Sequence, residues 1–227
     1  MTDFLSRYSA YIFDFDGTLA DTAGDSIPCM HKALALLNLP DAEISPYDIG
    51  PPLEQIYRRL IPNLSDADIA QLIPTFQKLY NSLENPVTQL YPGIVPVLER
   101  LVQRGALCCM ATNKSLRSTL LLLERLGVAH LFTQVMCGDS LMESLGRKID
   151  KAEMINVIIQ QQAIAPHGCV MIGDSVYDIE GGKAAGVHTM AVLYGYGRAE
   201  VMLHTGADMI VRNADWREYL HESAGAK

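Results

Sequence analysis

Four short stretches of this chain concentrate carboxylates, hydroxyls, amides and a cation at spacings that suit phosphoryl chemistry. The first is Asp14-Phe15-Asp16-Gly17-Thr18, directly after an apolar run. Two carboxylates one residue apart can face a single ion or phosphate if the chain turns there. Gly17 permits such a turn and a close backbone approach. One carboxylate could then attack phosphorus while the other moves protons. The same residues also suit an acidic strand-to-helix turn in which Asp16 is only a cap. The second stretch, Thr112-Asn113-Lys114, offers a hydroxyl, a side-chain amide and backbone N–H groups to phosphate oxygens. Taken alone, it is equally a turn or a helix cap. The third stretch runs over residues 173–178, with Asp174 and Asp178 around a predicted helix start. That spacing fits either a cap or a hard-cation site. A lysine among residues 146–151 is the fourth element, because several carboxylates and a dianionic phosphate repel one another without a cation.

These stretches need elements that bring them together. Apolar runs at 8–14, 106–112, 134–137, 169–173 and 187–193 read as buried strands. Helical patterns lie between them at 96–104, 115–126, 150–162 and 177–185, with glycines following at 105, 127 and 186. Alternating strands and helices predict an α/β fold with a parallel sheet. In such sheets reactive groups collect at the carboxyl ends of the strands, where Asp14, Thr112 and Asp174 all fall. Residues 20–88 differ. They carry helical stretches at 27–37, 53–60 and 67–83, broken by Pro40, Pro46, Pro51, Pro52 and Pro62, and contain no good strand candidate. This predicts a helical module inserted after the first strand, with the chain returning at Tyr91-Pro92-Gly93.

The net charge of −8 does not suggest a basic surface for nucleic acid or anionic lipid. Cys29, Cys108, Cys109, Cys137 and Cys169 show no metal-ligand spacing, and their odd number argues against a disulfide framework. They read as small core residues in a reducing compartment. The first residues lack the pattern of a signal peptide, and no apolar run approaches the ~20 residues needed to span a bilayer. The expectation is a cytoplasmic protein, monomeric or homodimeric.

Acidic pair, hydroxyl, lysine and second acidic pair occur in that order. On DFDGTLADT, ATNK, GRKIDK and IGDSVYDIEGG, the chain resembles the haloacid dehalogenase superfamily. With LYPGI, GPPL and YGYG, it is most similar to the phosphoglycolate phosphatase-like group. The resemblance implies a Rossmann-like parallel sheet with helices on both faces, formed by residues 1–19 and 89–227, and an α-helical cap at 20–88. It implies Asp14 as nucleophile and Asp16 as general acid/base. It implies Mg²⁺ on Asp14, the Asp16 carbonyl, Asp174 and Asp178. Gly17, Thr18, Thr112 and Asn113 would then contact phosphate.

The family's lysine usually precedes proline, whereas Lys148-Ile149-Asp150-Lys151 does not. Lys151 is taken as the active-site lysine and Lys148 as a substrate contact. The implied activity is Mg²⁺-dependent hydrolysis of a small phosphorylated metabolite, 2-phosphoglycolate foremost. A 5′-nucleotidase, another sugar phosphatase, a phosphosugar mutase and a non-enzymatic phospho-receiver are the alternatives. His31, Arg58 and Arg59 are polar groups available in the cap, and Pro51-Pro52 forms either a loop dipping toward the site or a plain turn.

Overall fold

A computed structural model of the chain describes residues 6–220. Strand β1 (Ala10–Phe13) is buried along its whole length. Ala10 and Ile12 face one core and Tyr11 and Phe13 the other. A parallel strand covered on both faces reads as a continuous apolar run, which is why this segment lacks polar alternation. After β1 come the short strand β2 (Ala20–Asp21), the helices α1 (Ala23–Leu36), α2 (Leu53–Leu60) and α3 (Asp66–Asn81), and the short strand β3 (Gln89–Leu90). β2 and β3 pair antiparallel, with Ala20 opposite Leu90, so the three helices hang from a two-stranded stem. Both strands are only two residues long, too short to leave a periodic signal in the sequence. Buried Asp25 of α1 ties this stem by accepting from the Val87 N–H at 3.0 Å and the Thr88 N–H at 2.8 Å. At the start of α3, the Ser65 hydroxyl accepts from the Asp68 N–H at 3.1 Å while the Asp68 carboxylate accepts from the Ser65 N–H at 2.9 Å. This reciprocal cap fixes where the helix begins.

The remaining chain alternates: α4 (Ile94–Gln103), β4 (Leu107–Thr112), α5 (Leu116–Arg125), β5 (Gln134–Cys137), the single turn α6 (Met142–Leu145), α7 (Lys151–Gln161), β6 (Cys169–Gly173), α8 (Val176–Ala184), β7 (His188–Val192), α9 (Ala199–Leu203) and β8 (Met209–Val211). The six long-range strands form one parallel sheet in the order β5-β4-β1-β6-β7-β8. Five of them were expected from the sequence. The sixth, β8, is a three-residue edge strand, with too few residues to stand out as an apolar run. Val97, Leu98 and Leu101 of α4 pack on the Tyr11–Phe13 face, and Met154, Ile155 and Ile158 of α7 pack on the other.

The order matters for the site. β1 lies between β4 and β6, so the carboxyl ends that bear Thr112, Asp14 and Asp174 are neighbours. Register holds them level: Phe13 is opposite Met110 on one side and Ile172 on the other. All five cysteines are buried free thiols. No helix among the described residues is long and apolar enough to cross a membrane.

Candidate active site

Asp14 continues the β1 ladder by one step, its N–H donating to Ile172 O at 2.9 Å. The chain then turns tightly, and the Phe15 carbonyl accepts from the N–H groups of Leu19 at 3.0 Å and Ala20 at 3.1 Å. Gly17 sits at φ +74°, and a Cβ there would collide with the Asp174 carboxylate. Glycine is required on both counts. The turn leaves Asp14 and Asp16 lining one cavity together with Thr112, Asn113 and Lys114.

Behind the cavity lies a buried carboxylate cluster. Asp14, Asp174 and Asp178 each offer an oxygen within 4.8 Å of the others. Lys151, the first residue of α7, enters this cluster. Its Nζ is 3.1 Å from Asp14 Oδ1 and 2.7 Å from Asp178 Oδ1, and donates to Ala111 O at 2.8 Å. The Lys151 stem crosses α8 at Gly181, where a Cβ would press on the lysine's Cβ and Cγ. Lys148, by contrast, is exposed at the cavity mouth. Of the two candidate lysines, only Lys151 reaches Asp14. Asp178 serves as the cap and also joins the cluster. Its Oδ2 caps α8 through the Ser175 N–H (3.0 Å) and hydroxyl (2.6 Å), and its Oδ1 faces Lys151.

Three carboxylates around one ammonium leave unbalanced negative charge in a site shielded from water. Burial, and after it the Asp178 carboxylate, push Asp14 up to about 7 in spite of Lys151. Burial with Asp178 and Asp14 likewise holds Asp174 well above the usual carboxylate range. Burial works against the Lys151 charge, but Asp14 and Asp178 outweigh it and hold its titration above the ordinary lysine range. The donor set is all oxygen, closely spaced and short of positive charge, which fits a hard divalent cation.

Thr18 and Gly17 stand elsewhere than expected. The Thr18 hydroxyl donates to Asp174 Oδ1 at 3.1 Å, and its side chain is sealed behind the cluster. The Gly17 N–H donates to Ala20 O at 2.9 Å, so the turn itself uses that donor. Neither residue lines the cavity. Asn113 does line it, but its Nδ2 donates to Gly50 O at 2.8 Å, joining the strand end to the loop before α2. Gly50 and Pro51 therefore dip toward the site. His31 pairs with Asp41, Arg58 with Glu54 and Asp66, and Arg59 with Asp48. None of these three residues lines the cavity, whose inserted-helix wall includes Met30, Ile56, Ile73 and Phe76 with Gln77.

Two contributions went unread in the sequence. The Tyr196 N–H (2.6 Å) and Gly197 N–H (3.3 Å) donate to Asp174 Oδ2, so the Tyr194–Gly197 loop cradles that carboxylate. Lys114 is the other. Its Nζ lies 3.0 Å from Asp16 Oδ1 and 3.3 Å from Oδ2, and the Thr22 hydroxyl donates to Asp16 Oδ1 at 2.6 Å. Charge balance read from the sequence calls for one lysine, whereas each aspartate of the first motif has its own. The available signal was the position of Lys114, two residues beyond a strand end.

The family model for haloacid dehalogenase-like hydrolases matches residues 11–192, and the chain belongs to that family. It is 30% identical to a phosphoglycolate phosphatase of Nitrosospira multiformis over 210 residues, 89% of this chain and 90% of that one. It is 29% identical to the tyrosine-protein kinase PtkA of Mycobacterium tuberculosis, over 94% of this chain and 72% of the kinase. Among solved structures, one described as a predicted phosphatase from Clostridium acetobutylicum superposes with a TM-score of 0.82 at 25% identity, covering 95% of this chain and 98% of that one.

Proposed function

We propose that this chain is a Mg²⁺-dependent phosphatase that hydrolyses a small phosphate monoester through a phosphoryl intermediate on Asp14. The observation that carries this reading is the pairing at the sheet edge. Asp14 and Asp16 face one cavity, and each is held by its own lysine, Lys151 at 3.1 Å and Lys114 at 3.0 Å. The two carboxylates are thereby held in separate places. The similarity to phosphoglycolate phosphatases supports a phosphate monoester as substrate.

Asp14, Asp174 and Asp178, with the Asp16 carbonyl, are the residues that would hold Mg²⁺, which when bound neutralises charge on the phosphoryl oxygens. In the first half-reaction an Asp14 oxygen attacks phosphorus as the ester P–O bond breaks. The leaving oxygen takes a proton from Asp16. In the second half-reaction Asp16 takes a proton from water, whose oxygen attacks phosphorus. The P–O bond to Asp14 breaks, and its electron pair returns to the carboxylate. Thr112 at the end of β4 and the Lys151 ammonium orient the phosphoryl group and offset its charge. Positioning and charge then supply most of the rate enhancement. Residues 20–88 serve as a cap that excludes water and selects the leaving group, on a catalytic core of residues 1–19 and 89–227.

A steady-state screen of metabolite phosphates with Mg²⁺, scored by release of inorganic phosphate, tests this reading. 2-Phosphoglycolate leads the panel, with nucleoside monophosphates and sugar phosphates beside it. Turnover that disappears in Asp14→Asn is the expected result. Substantial Mg²⁺-dependent turnover in that variant would refute the reading.

A further inference from the structure

Lys114 is the member of the Thr112-Asn113-Lys114 stretch whose purpose the sequence leaves open. Its side chain is 8% exposed and that of its partner Asp16 is 14% exposed, so the pair meets largely out of water. The ammonium contacts both carboxylate oxygens, at 3.0 and 3.3 Å. The Thr22 hydroxyl contacts only Oδ1. Held by Thr22 alone, the carboxyl could still swing about that contact; a second contact on Oδ2 removes the freedom. Two rings flank the ammonium: Tyr80 with its centroid at 4.3 Å and Phe15 at 6.0 Å. A buried ammonium against ring faces is attracted by them without losing its charge. Phe15 lies between the two aspartates in sequence. Tyr80 belongs to the last turn of α3, in the inserted helices, and is itself buried.

We propose that Lys114 is a positioning residue for Asp16, and that Tyr80 makes this positioning depend on the seating of the inserted helices. The proposal rests on the reading of Asp16 as the group that protonates the leaving oxygen. Lys114 holds the Asp16 carboxyl toward the cavity and away from the Asp14–Asp174–Asp178 cluster, which has Lys151 as its own cation. Seating the inserted helices brings the Tyr80 ring onto the ammonium and completes this arrangement. A substrate thus meets an oriented Asp16 only when the wall that surrounds its leaving group is in place.

The test compares phenyl phosphate with p-nitrophenyl phosphate. The two leaving groups have the same ring, but phenolate departs poorly without a proton and p-nitrophenolate departs well. kcat/KM covers the steps up to the departure of that group. The full chain with Mg²⁺ is measured as Lys114→Met, Lys114→Arg, Tyr80→Phe, Tyr80→Leu and Asp16→Asn, with circular dichroism to check folding. Lys114→Met is expected to lose about tenfold more kcat/KM on phenyl phosphate than on p-nitrophenyl phosphate, a fraction of the roughly 10²–10⁴-fold that proton transfer by a placed side chain contributes. Lys114→Arg recovers part of that selective loss. Tyr80→Leu shows it in smaller degree, and Tyr80→Phe stays near the parent. Asp16→Asn shows the same selectivity at full size.

An equal loss on both esters in Lys114→Met, or a rise in KM alone, overturns the proposal while a selective loss in Asp16→Asn leaves the acid/base reading standing. If Asp16→Asn shows no selectivity, that reading fails and the proposal fails with it. Should Lys114→Met not fold, Lys114→Arg and Tyr80→Leu carry the comparison, and uniform losses in both overturn it.

Discussion

Replacing Lys151 by methionine keeps the stem and removes the charge from the centre of the carboxylate cluster. The ammonium lies 2.7 Å from Asp178 and 3.1 Å from Asp14, with all three side chains at most 4% exposed. Each contact corresponds to an attraction on the order of 5–6 kcal/mol at an effective dielectric near 20. Most of that attraction offsets the cost of burying the charges. The measurable loss is the penalty of carboxylates left uncompensated, about 3–5 kcal/mol for a broken buried pair. For a chain of this size each kcal/mol moves Tm by about 2–4 °C, so the drop should be roughly 6–20 °C. Thermal unfolding in EDTA near neutral pH reads it. Adding Mg²⁺ should raise Tm more in Lys151→Met than in the parent, because a divalent cation then supplies the only positive charge in the cluster. Phosphatase turnover should fall about a hundredfold or more, the scale seen when one charge-stabilising group is removed from a site. Lys148→Met, at the exposed mouth, should leave Tm unchanged. A Tm for Lys151→Met within about a degree of the parent would refute the reasoning, since the cluster would then not be holding charges that need the lysine.

Three further outcomes follow from the same geometry. Asp14 is raised on folding to about 7, so the folded state holds this proton more tightly than the unfolded state; its stabilising contribution is complete below the ordinary carboxylate value and disappears as pH rises toward 7. Urea midpoints of the metal-free parent should therefore fall between about pH 4 and pH 7 relative to Asp14→Asn, and the opposite slope would contradict the assignment. Gly17→Ala introduces a Cβ at φ +74° against the Asp174 carboxylate, and should weaken both Mg²⁺ affinity by calorimetry and phosphate release. Asp25→Ala strands the Val87 and Thr88 N–H donors of the stem, and should cost about 2–3 kcal/mol by urea unfolding.

Much of the arrangement is determined by the sequence alone. A strand buried on both faces is apolar along its length, so β1, β4 and β6 announce themselves as runs, and β5 and β7 show shorter apolar stretches after Gln134 and after His188-Thr189. Carboxylates that stop such runs fall at strand ends, so Asp14 and Asp174 could be placed near one another before any coordinates. The helical character of residues 27–83 follows from the length and spacing of its apolar positions, and its interruption of the α/β alternation marks it as an insertion. The two stem strands and β8 were not legible, because two or three residues carry no period and owe their pairing to what lies beside them.

Tertiary structure alone decided the pairing of charges. Lys148 and Lys151 are three residues apart, and only the entry of α7 beside α8, across Gly181, sends one into the carboxylate cluster and leaves the other at the mouth. Lys114 adjoins two residues with obvious polar uses and looks like a third of the same kind. Its contact with Asp16, 98 residues away in the chain, arises because β1 and β4 are neighbours in the sheet. The Thr18 hydroxyl supports Asp174, because the turn at Gly17 points it inward. The residue types fix which chemistry is available at the sheet edge. Strand order and helix packing fix which charge faces which, since electrostatic partners in a buried site are chosen by distance in space and not along the chain.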